Sequence, residues 1–481
     1  MSSRRDERRS RRFYTLTAAS TVIPGLGLIP SRRRTGQVIV GAFVLGLVVV
    51  LGFFVAKGVT DSVISVGVSR RALTVLIPVV FIAAVVWVWG IVATARDNLP
   101  EGSGGGRKIA MVVFTAFAAS LIFAPAAQAM RYAVIQHSLI GSVFETLRPD
   151  GAVTPGDGKD PWAGTDRVNV LLIGSDAGDG REGIRPDSIM VASVDTQTGE
   201  TVLFGIPRNL QNVPFSKKNP LSEQYPDGFD CGNECLMEMV WGLGEENKDL
   251  FDKDTNPGLA VTKDAASQVL GLDIDYTTVV NLEGFTQLVD AMGGVSIKVK
   301  ERVCIGCEID AGGNVVGTTG WIEPGHRRLN GYQALWYSRS RAGSQDGDFS
   351  RMRRQRCMVG ALLNQVNPTS MITRYPALAK TLEDNVRVDI PQQDLDEWAD
   401  LVLKIQKGGK IKSLPLTNQN VDVNDPDYEK VHAMVDKAID PPKPKKKKPS
   451  TTTPTTTPEA PSSPAPSEEP ADKLSDIEAT C

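Results

Sequence analysis

Histidine is scarce in this chain. Only His137, His326 and His432 occur among 481 residues, and none stands in a triad-like context, which argues against serine-hydrolase chemistry. Long apolar runs are missing beyond Met130, so any membrane crossing belongs to the first third. No cysteine precedes Cys231. What is present is otherwise ordinary: 23% charged and 41% hydrophobic residues, enough for a packed core in a chain too long for one small domain.

The first third carries three apolar runs, 36–56, 72–95 and 109–130, each near the ~20 residues a helix needs to cross a bilayer. An earlier run, 14–30, is broken by Pro24, Gly25, Gly27 and Pro30, and reads as interfacial or re-entrant. Arginines crowd the start (Arg4, Arg5, Arg8, Arg9, Arg11, Arg12) and precede the first span (Arg32, Arg33, Arg34). Cytoplasmic flanks keep such charges, so residues 1–35 are expected inside and everything after the third span outside. Arg107 and Lys108 fall on the inner side as this requires, while Arg70 and Arg71 run against it. The third run ends with Ala127 and Ala129 in an Ala-x-Ala pattern resembling a signal-peptidase site, but two spans upstream argue against cleavage.

Residues 131–165 read as a membrane-proximal helix followed by a Gly/Pro/Asp-rich linker, 166–440 as an external domain, and 441–481 as a disordered tail. Lys445 and Lys448 bound a basic stretch of that tail. Its external place and the acidic end beyond it suit a solvated spacer, or contact with an anionic wall polymer, better than nucleic acid. Cys231 with Cys235 and Cys304 with Cys307 form two close pairs, expected as disulfides outside the cytoplasm, a four-cysteine zinc site being the alternative. Cys357 and Cys481 are left over.

Within the external domain, strand patterns cover 168–173, 188–195 and 201–206, the last two joined as a hairpin by Thr196, Gln197, Thr198 and Gly199. A helix over 261–270, a strand over 276–282, a helix over 285–292 closed by Gly293 and Gly294, and a strand over 295–299 continue an α/β alternation. Phe285, Leu288, Val289 and Met292 recur at helical spacing, the mark of a face packed on a sheet or of an apolar tunnel wall.

Polar residues gather at element ends: Asp176 after the first strand, Arg185 and Asp187 before the second, and Arg208 after the third. The hairpin brings Arg185 and Asp187 beside Arg208, and antiparallel pairing of the first strand would add Asp176. Further on come Arg339 and Arg341, read as alternate residues of an extended chain, then Asp348, Arg351 and Gln355 at the start of a helix. Taken singly, each has a plain explanation: Asp348 as a helix cap, Arg351 and Arg354 as solvated charges, Arg339 in an ion pair. Convergence favours another. Arginine forks hold phosphate oxygens, and aspartates among them hold a divalent cation, so the set reads as a site for pyrophosphate plus metal.

These motifs, in this order, resemble the LytR-CpsA-Psr family of cell-wall glycopolymer ligases: 170–176, 185–188, 206–208, Gly293-Gly294-Val295, 331–335, and Asp348-Phe349-Ser350-Arg351 followed by Arg354-Gln355. The likeness covers roughly 165–440. It implies an α/β/α sandwich with a central mixed sheet, a polyprenyl-pyrophosphate-linked glycan with its tail in an apolar tunnel, and phosphotransfer to peptidoglycan. By matching motif it implies that Asp176 and Asp187 hold magnesium or manganese, and that Arg185, Arg208, Arg339, Arg341, Arg351 and Gln355 bind pyrophosphate. Arg185, Arg208 and Asp348 are the catalytic candidates, with Asp348 orienting or deprotonating the acceptor. The sequence departs from the family at Asn209, where an aspartate is usual, and at Pro186. A lipid-pyrophosphate sensor or scaffold without transfer, and a pyrophosphate hydrolase, are the alternatives.

Overall fold

The computed structural model describes residues 2–440, 474–476 and 481, apart from 101–103, 146–147, 150, 157–159, 177–183, 233, 254, 311, 313, 343–346, 366–378 and 384. Its described residues form two units, Met1–Ser142 and Val143–Cys481.

The first unit is helical. Apolar runs without interrupting charge become α2 (Arg33–Lys57), α4 (Arg70–Asp97) and α5 (Gly105–Val143), with α1 (Ser2–Val22) before them and the short α3 (Val59–Val68) between. Among the described residues, three helices are long and apolar enough to cross a membrane. Val38, Leu45, Val55, Val75 and Val112 lie exposed on them, an arrangement that water penalises and hydrocarbon does not. The interrupted run behaves differently from a single segment. α1 continues through Val22, and the chain then turns at Gly25 into a 3₁₀ turn, Leu26–Leu28. Ser20 and Thr94 hydroxyls meet at 2.8 Å, and the Trp87 indole donates to the Ser20 carbonyl, fixing α1 against α4.

The second unit is built on an eight-stranded sheet ordered β1-β12-β5-β2-β3-β4-β13-β14. Its strands are β1 (Phe144–Glu145), β2 (Arg167–Ser175), β3 (Pro186–Asp195), β4 (Thr201–Ile206), β5 (Tyr276–Asn281), β12 (Val386–Pro391), β13 (Ile411–Pro415) and β14 (Ser475–Asp476). β2 runs antiparallel to β3 and parallel to β5, so the sheet is mixed. Three small ribbons lie outside it: β6 (Val295–Val299) with β11 (Gly325–Leu329), β7 (Val303–Ile305) with β10 (Gly320–Ile322), and β8 (Glu308–Ile309) with β9 (Val315–Val316).

Side chains alternate across the sheet, and each face is covered by helices. On one face Leu171, Ile173, Val191 and Phe204 pack against Val261, Ala265 and Val269 of α7 (Pro257–Leu270) and Val431 and Val435 of the helix Tyr428–Ile439. On the other lie α8 (Leu282–Ala291), α9 (Gly331–Arg339) and α10 (Asp348–Gln365). This is an α/β/α sandwich. α6 (Val240–Glu246) joins the first layer through Val240 and Trp241.

Two expectations change, and the expected cysteine pairs hold. Residues taken as linker pack onto the sheet: β1 pairs with β12, Trp162 is buried edge-on against Trp398, and the Tyr276 hydroxyl donates to the Val153 carbonyl. The far end of the tail also returns, since β14 pairs with β13 and Cys481 bonds Cys357. A two-residue strand and one cysteine leave almost no periodicity to read. The other cysteines pair as Cys231–Cys235 and Cys304–Cys307 rather than as a zinc site.

Candidate functional site

The site forms where β2, β3 and β4 end, and a break in register creates it. Gly174 pairs with Ser188, but the next residue, Ser175, pairs with Pro186. Asp187 is therefore the extra residue of a β-bulge, which bends the strand and re-aims its side chain. Pro186 is tolerated there because the first residue of a strand need not donate a ladder hydrogen bond. The Asp176 amide donates to the Arg185 carbonyl at 3.2 Å, closing the base of the β2–β3 connection.

Arginines from three elements surround Asp187. Its carboxylate lies 3.4 Å from Arg208 after β4, 3.9 Å from Arg339 at the end of α9, and 4.0 Å from Arg351 on α10. None of these is a short bidentate pair. Arg208 also makes a 2.6 Å ion pair with Glu238, whose amide donates back to the Arg208 carbonyl at 2.9 Å. Glu238 was not among the expected site residues: it follows the Cys231–Cys235 loop and no nearby motif marks it.

α9 and α10 place the rest. Asn330 and Gln333 form a capping box at the start of α9, a motif in which each cap is worth ~1 kcal/mol. Gly331 lets that end approach α8, since a Cβ there would stand 2.0 Å from the Thr286 carbonyl oxygen. α9 thus runs helical through Arg339, and Arg339 and Arg341 are not neighbours on an extended chain as their spacing suggested. Arg339 ends the helix with 30% of its side chain exposed, while Arg341 lies two residues beyond it and is exposed. Arg354, expected as a solvated charge, is instead buried: it donates to the carbonyls of Tyr337 and Ser340 and pairs with Glu301 at 2.9 Å. Burial holds its pKa below the ordinary arginine value despite Glu301. Arg354 therefore ties the end of α9, where Arg339 stands, to α10. Arg351 is likewise buried, at 2% exposure.

Gln355 donates to the Ser338 carbonyl at 3.2 Å and lines two adjoining cavities. The larger is about 220 Å³, walled by apolar side chains including Leu172, Val280, Phe285, Leu288, Met358 and Leu362, with Asp187 and Arg339 in its lining. The α8 stripe is divided between both of its expected uses: Phe285 and Leu288 line the cavity, while Val289 packs into a core with Val295 and Met358. The smaller cavity, about 10 Å³, is lined by Asp187, Arg208, Arg351 and Arg356 among others.

Of the expected residues, then, Asp187, Arg208, Arg339, Arg351 and Gln355 converge. Asp176 and Arg185 flank the same strand ends, with Arg185 exposed. Asp348 begins α10, and its side chain lies outside the described residues. No group of three or more metal-ligating side chains occurs among the described residues. Two carboxylates suffice for magnesium when phosphate oxygens and water complete its shell, so the donor set of Asp176 and Asp187 fits that ion only together with a phosphorylated ligand.

A family model described as the LytR_cpsA_psr family matches residues 152–440. Biofilm regulatory protein A of Streptococcus mutans is 26% identical over 290 residues, 59% of this chain and 63% of that protein. The polyisoprenyl-teichoic acid–peptidoglycan teichoic acid transferase TagU of Oceanobacillus iheyensis is 29% identical over 231 residues, 48% of this chain and 61% of its own length. The chain thus spans roughly three fifths of these curated relatives. Among solved structures, TagV of B. subtilis shares 21% identity with a TM-score of 0.39, covering 56% of this chain and 96% of TagV.

Proposed function

The chain belongs to the LytR-CpsA-Psr family, and from that premise we propose that it moves a glycopolymer from a polyprenyl-pyrophosphate carrier onto peptidoglycan, leaving a phosphodiester link. One observation carries the reading: a carboxylate ringed by Arg208, Arg339 and Arg351 stands at the wall of a 220 Å³ apolar cavity. Such a site matches a ligand with a pyrophosphate head and a hydrocarbon tail.

In this mechanism the cavity holds the prenyl chain against Phe285, Leu288 and Leu362. Arg208, Arg339 and Arg351, with Arg185 and Arg341 closing from the solvent side, neutralise the pyrophosphate. An acceptor hydroxyl of peptidoglycan attacks the glycan-side phosphorus. The bond to the bridging oxygen breaks, and its electron pair leaves with prenyl phosphate. Asp348 orients the hydroxyl or takes its proton. A magnesium or manganese ion held by Asp176 and Asp187 would supply further neutralisation of developing charge on the phosphate oxygens. No covalent enzyme intermediate is required. Asp187 has the second task of keeping the arginines assembled before the ligand arrives.

The reading carries a location. With its arginine-rich start in the cytoplasm, three crossings would place the unit Val143–Cys481 outside the membrane. Three disulfides in that unit support an oxidising compartment.

One relative is named as a regulatory protein, which favours a second reading, a lipid-pyrophosphate sensor that binds without transfer. Incubating the full chain with a prenyl-pyrophosphate-linked glycan and peptidoglycan fragments, followed by ³¹P NMR, separates the possibilities. A new phosphodiester with released prenyl phosphate supports the ligase. Inorganic phosphate or free glycan phosphate in its place would indicate hydrolysis, and unchanged donor in a protein that binds it would indicate a sensor.

A further inference from the structure

Arg356 has no part in the mechanism above, and its surroundings are unusual for an arginine. It is 4% exposed, and its Nη1 has no hydrogen-bond partner. No carboxylate contributes to its electrostatics: burial and then Arg353 pull its pKa down to about 9. A buried, unpaired cation costs several kcal/mol, and such groups are ordinarily paired.

The space around it is shaped. Arg356 lines a narrow cavity of about 10 Å³ together with Asp187, Arg208, Arg351 and Gln355, which is room for one oxygen-sized group. It is one turn beyond Met352 on α10, so both point at the sheet. Opposite them β4 carries Gly205, a glycine in the middle of a buried sheet. A Cβ there would lie 3.3 Å from Met352 Cε and 3.5 Å from Arg356 Nη1. Glycine inside a strand marks a close approach by another group, here the Met352 methyl, with the Arg356 guanidinium in ordinary contact beside it. The cavity adjoins the apolar one through Asp187, Ser188, Met190 and Gln355, which line both.

We propose that Arg356 is a further phosphate-binding residue, which holds a pyrophosphate oxygen from the buried side of the site. This rests on the pyrophosphate reading given above. Arg208, Arg339 and Arg351 already share Asp187. Arg356 shares no anion with the described residues, so the ligand's charge is the one that completes its surroundings. An arginine is required because its planar fork reaches past Met352 and offers two donors, where a lysine offers a point charge.

The test measures binding of geranylgeranyl pyrophosphate with magnesium to the full-length chain in detergent, by calorimetry, for wild type, Arg356→Met and Arg356→Lys. Thermal melting is recorded with and without ligand. Losing a charge-assisted hydrogen bond to phosphate should weaken binding of the Met variant by about tenfold or more. Its ligand-free melting temperature should stay level or rise, because an uncompensated charge has been removed. Equal affinity for wild type and Met would overturn the proposal and leave Arg356 as a buried charge that the ligand never meets. If the Met variant does not fold, the Lys variant decides: a several-fold loss supports the proposal, and unchanged affinity overturns it. Failure of the wild type itself to bind would instead overturn the pyrophosphate reading beneath it.

Discussion

Replacing Asp187 by Asn removes one negative charge from among three positive ones while keeping the side chain's size. Its carboxylate stands 3.4 Å from Arg208, 3.9 Å from Arg339 and 4.0 Å from Arg351. Only Arg351 is deeply buried; the Arg208 and Arg339 side chains keep 21% and 30% exposure. Breaking a fully buried pair costs ~3–5 kcal/mol, and partly solvated pairs cost less, so the ligand-free protein should lose about 2–3 kcal/mol. In a domain of this size that is about 3–5 °C in melting temperature. Inorganic pyrophosphate added without metal should recover more of that stability in the variant than it adds to wild type, since the anion replaces the missing carboxylate. Magnesium-dependent turnover should be lost regardless. The assay is thermal melting across a pyrophosphate titration, with ³¹P NMR for turnover. Equal pyrophosphate shifts in both proteins would refute the shared-anion reasoning.

Arg339→Lys and Arg341→Lys keep charge but lose the planar fork, so activity should fall, and near-wild-type turnover and lipid binding in both, with unchanged melting, would reduce them to a solvated positive patch. Cys481→Ser opens the Cys357–Cys481 link, which spans a sequence separation of 124; the chain-entropy model gives a loss of about 5 kcal/mol, and an unshifted melting temperature would show that the link does not hold the tail. Burial first, then the neighbouring Asp396 carboxyl, raise the Glu397 pKa from 4.5 to about 7. The folded state therefore favours the protonated form, and the stability this contributes is complete below the ordinary value and lost as pH rises toward 7. Glu397→Gln should raise the melting temperature near pH 8 and leave it almost unchanged near pH 4.5; an equal shift at both would refute the assignment.

Much of this was legible in the residues because local pattern and tertiary position agree. β4 follows its apolar run over Thr201–Ile206, and α7 and α8 overlap their helical stripes. The clustering of Asp187 with Arg208 followed from hairpin geometry alone. Other features depend on contacts that no local pattern records. Glu238 reaches Arg208 from another segment, and nothing beside it signals an ion pair. Arg351, Arg354 and Arg356 make α10 look like a solvated helix by composition, yet all three are buried, because the helix lies against the sheet with polar cavities and backbone carbonyls to receive them. The bulge that aims Asp187 is a register effect, visible only once β2 and β3 are paired.

The central claim is that one site holds both a prenyl chain and its pyrophosphate, and photolabelling tests it most directly. A prenyl pyrophosphate bearing a photoreactive group on its chain, irradiated with the full-length protein and magnesium, is followed by peptide mapping. Labels on α8 and α10, at residues such as Phe285, Leu288 and Leu362, displaced by geranylgeranyl pyrophosphate and weakened in Arg339→Met, are the predicted result. Labelling confined to the apolar helices of the first unit, or labelling of the cavity that Arg339→Met leaves unchanged, would contradict it.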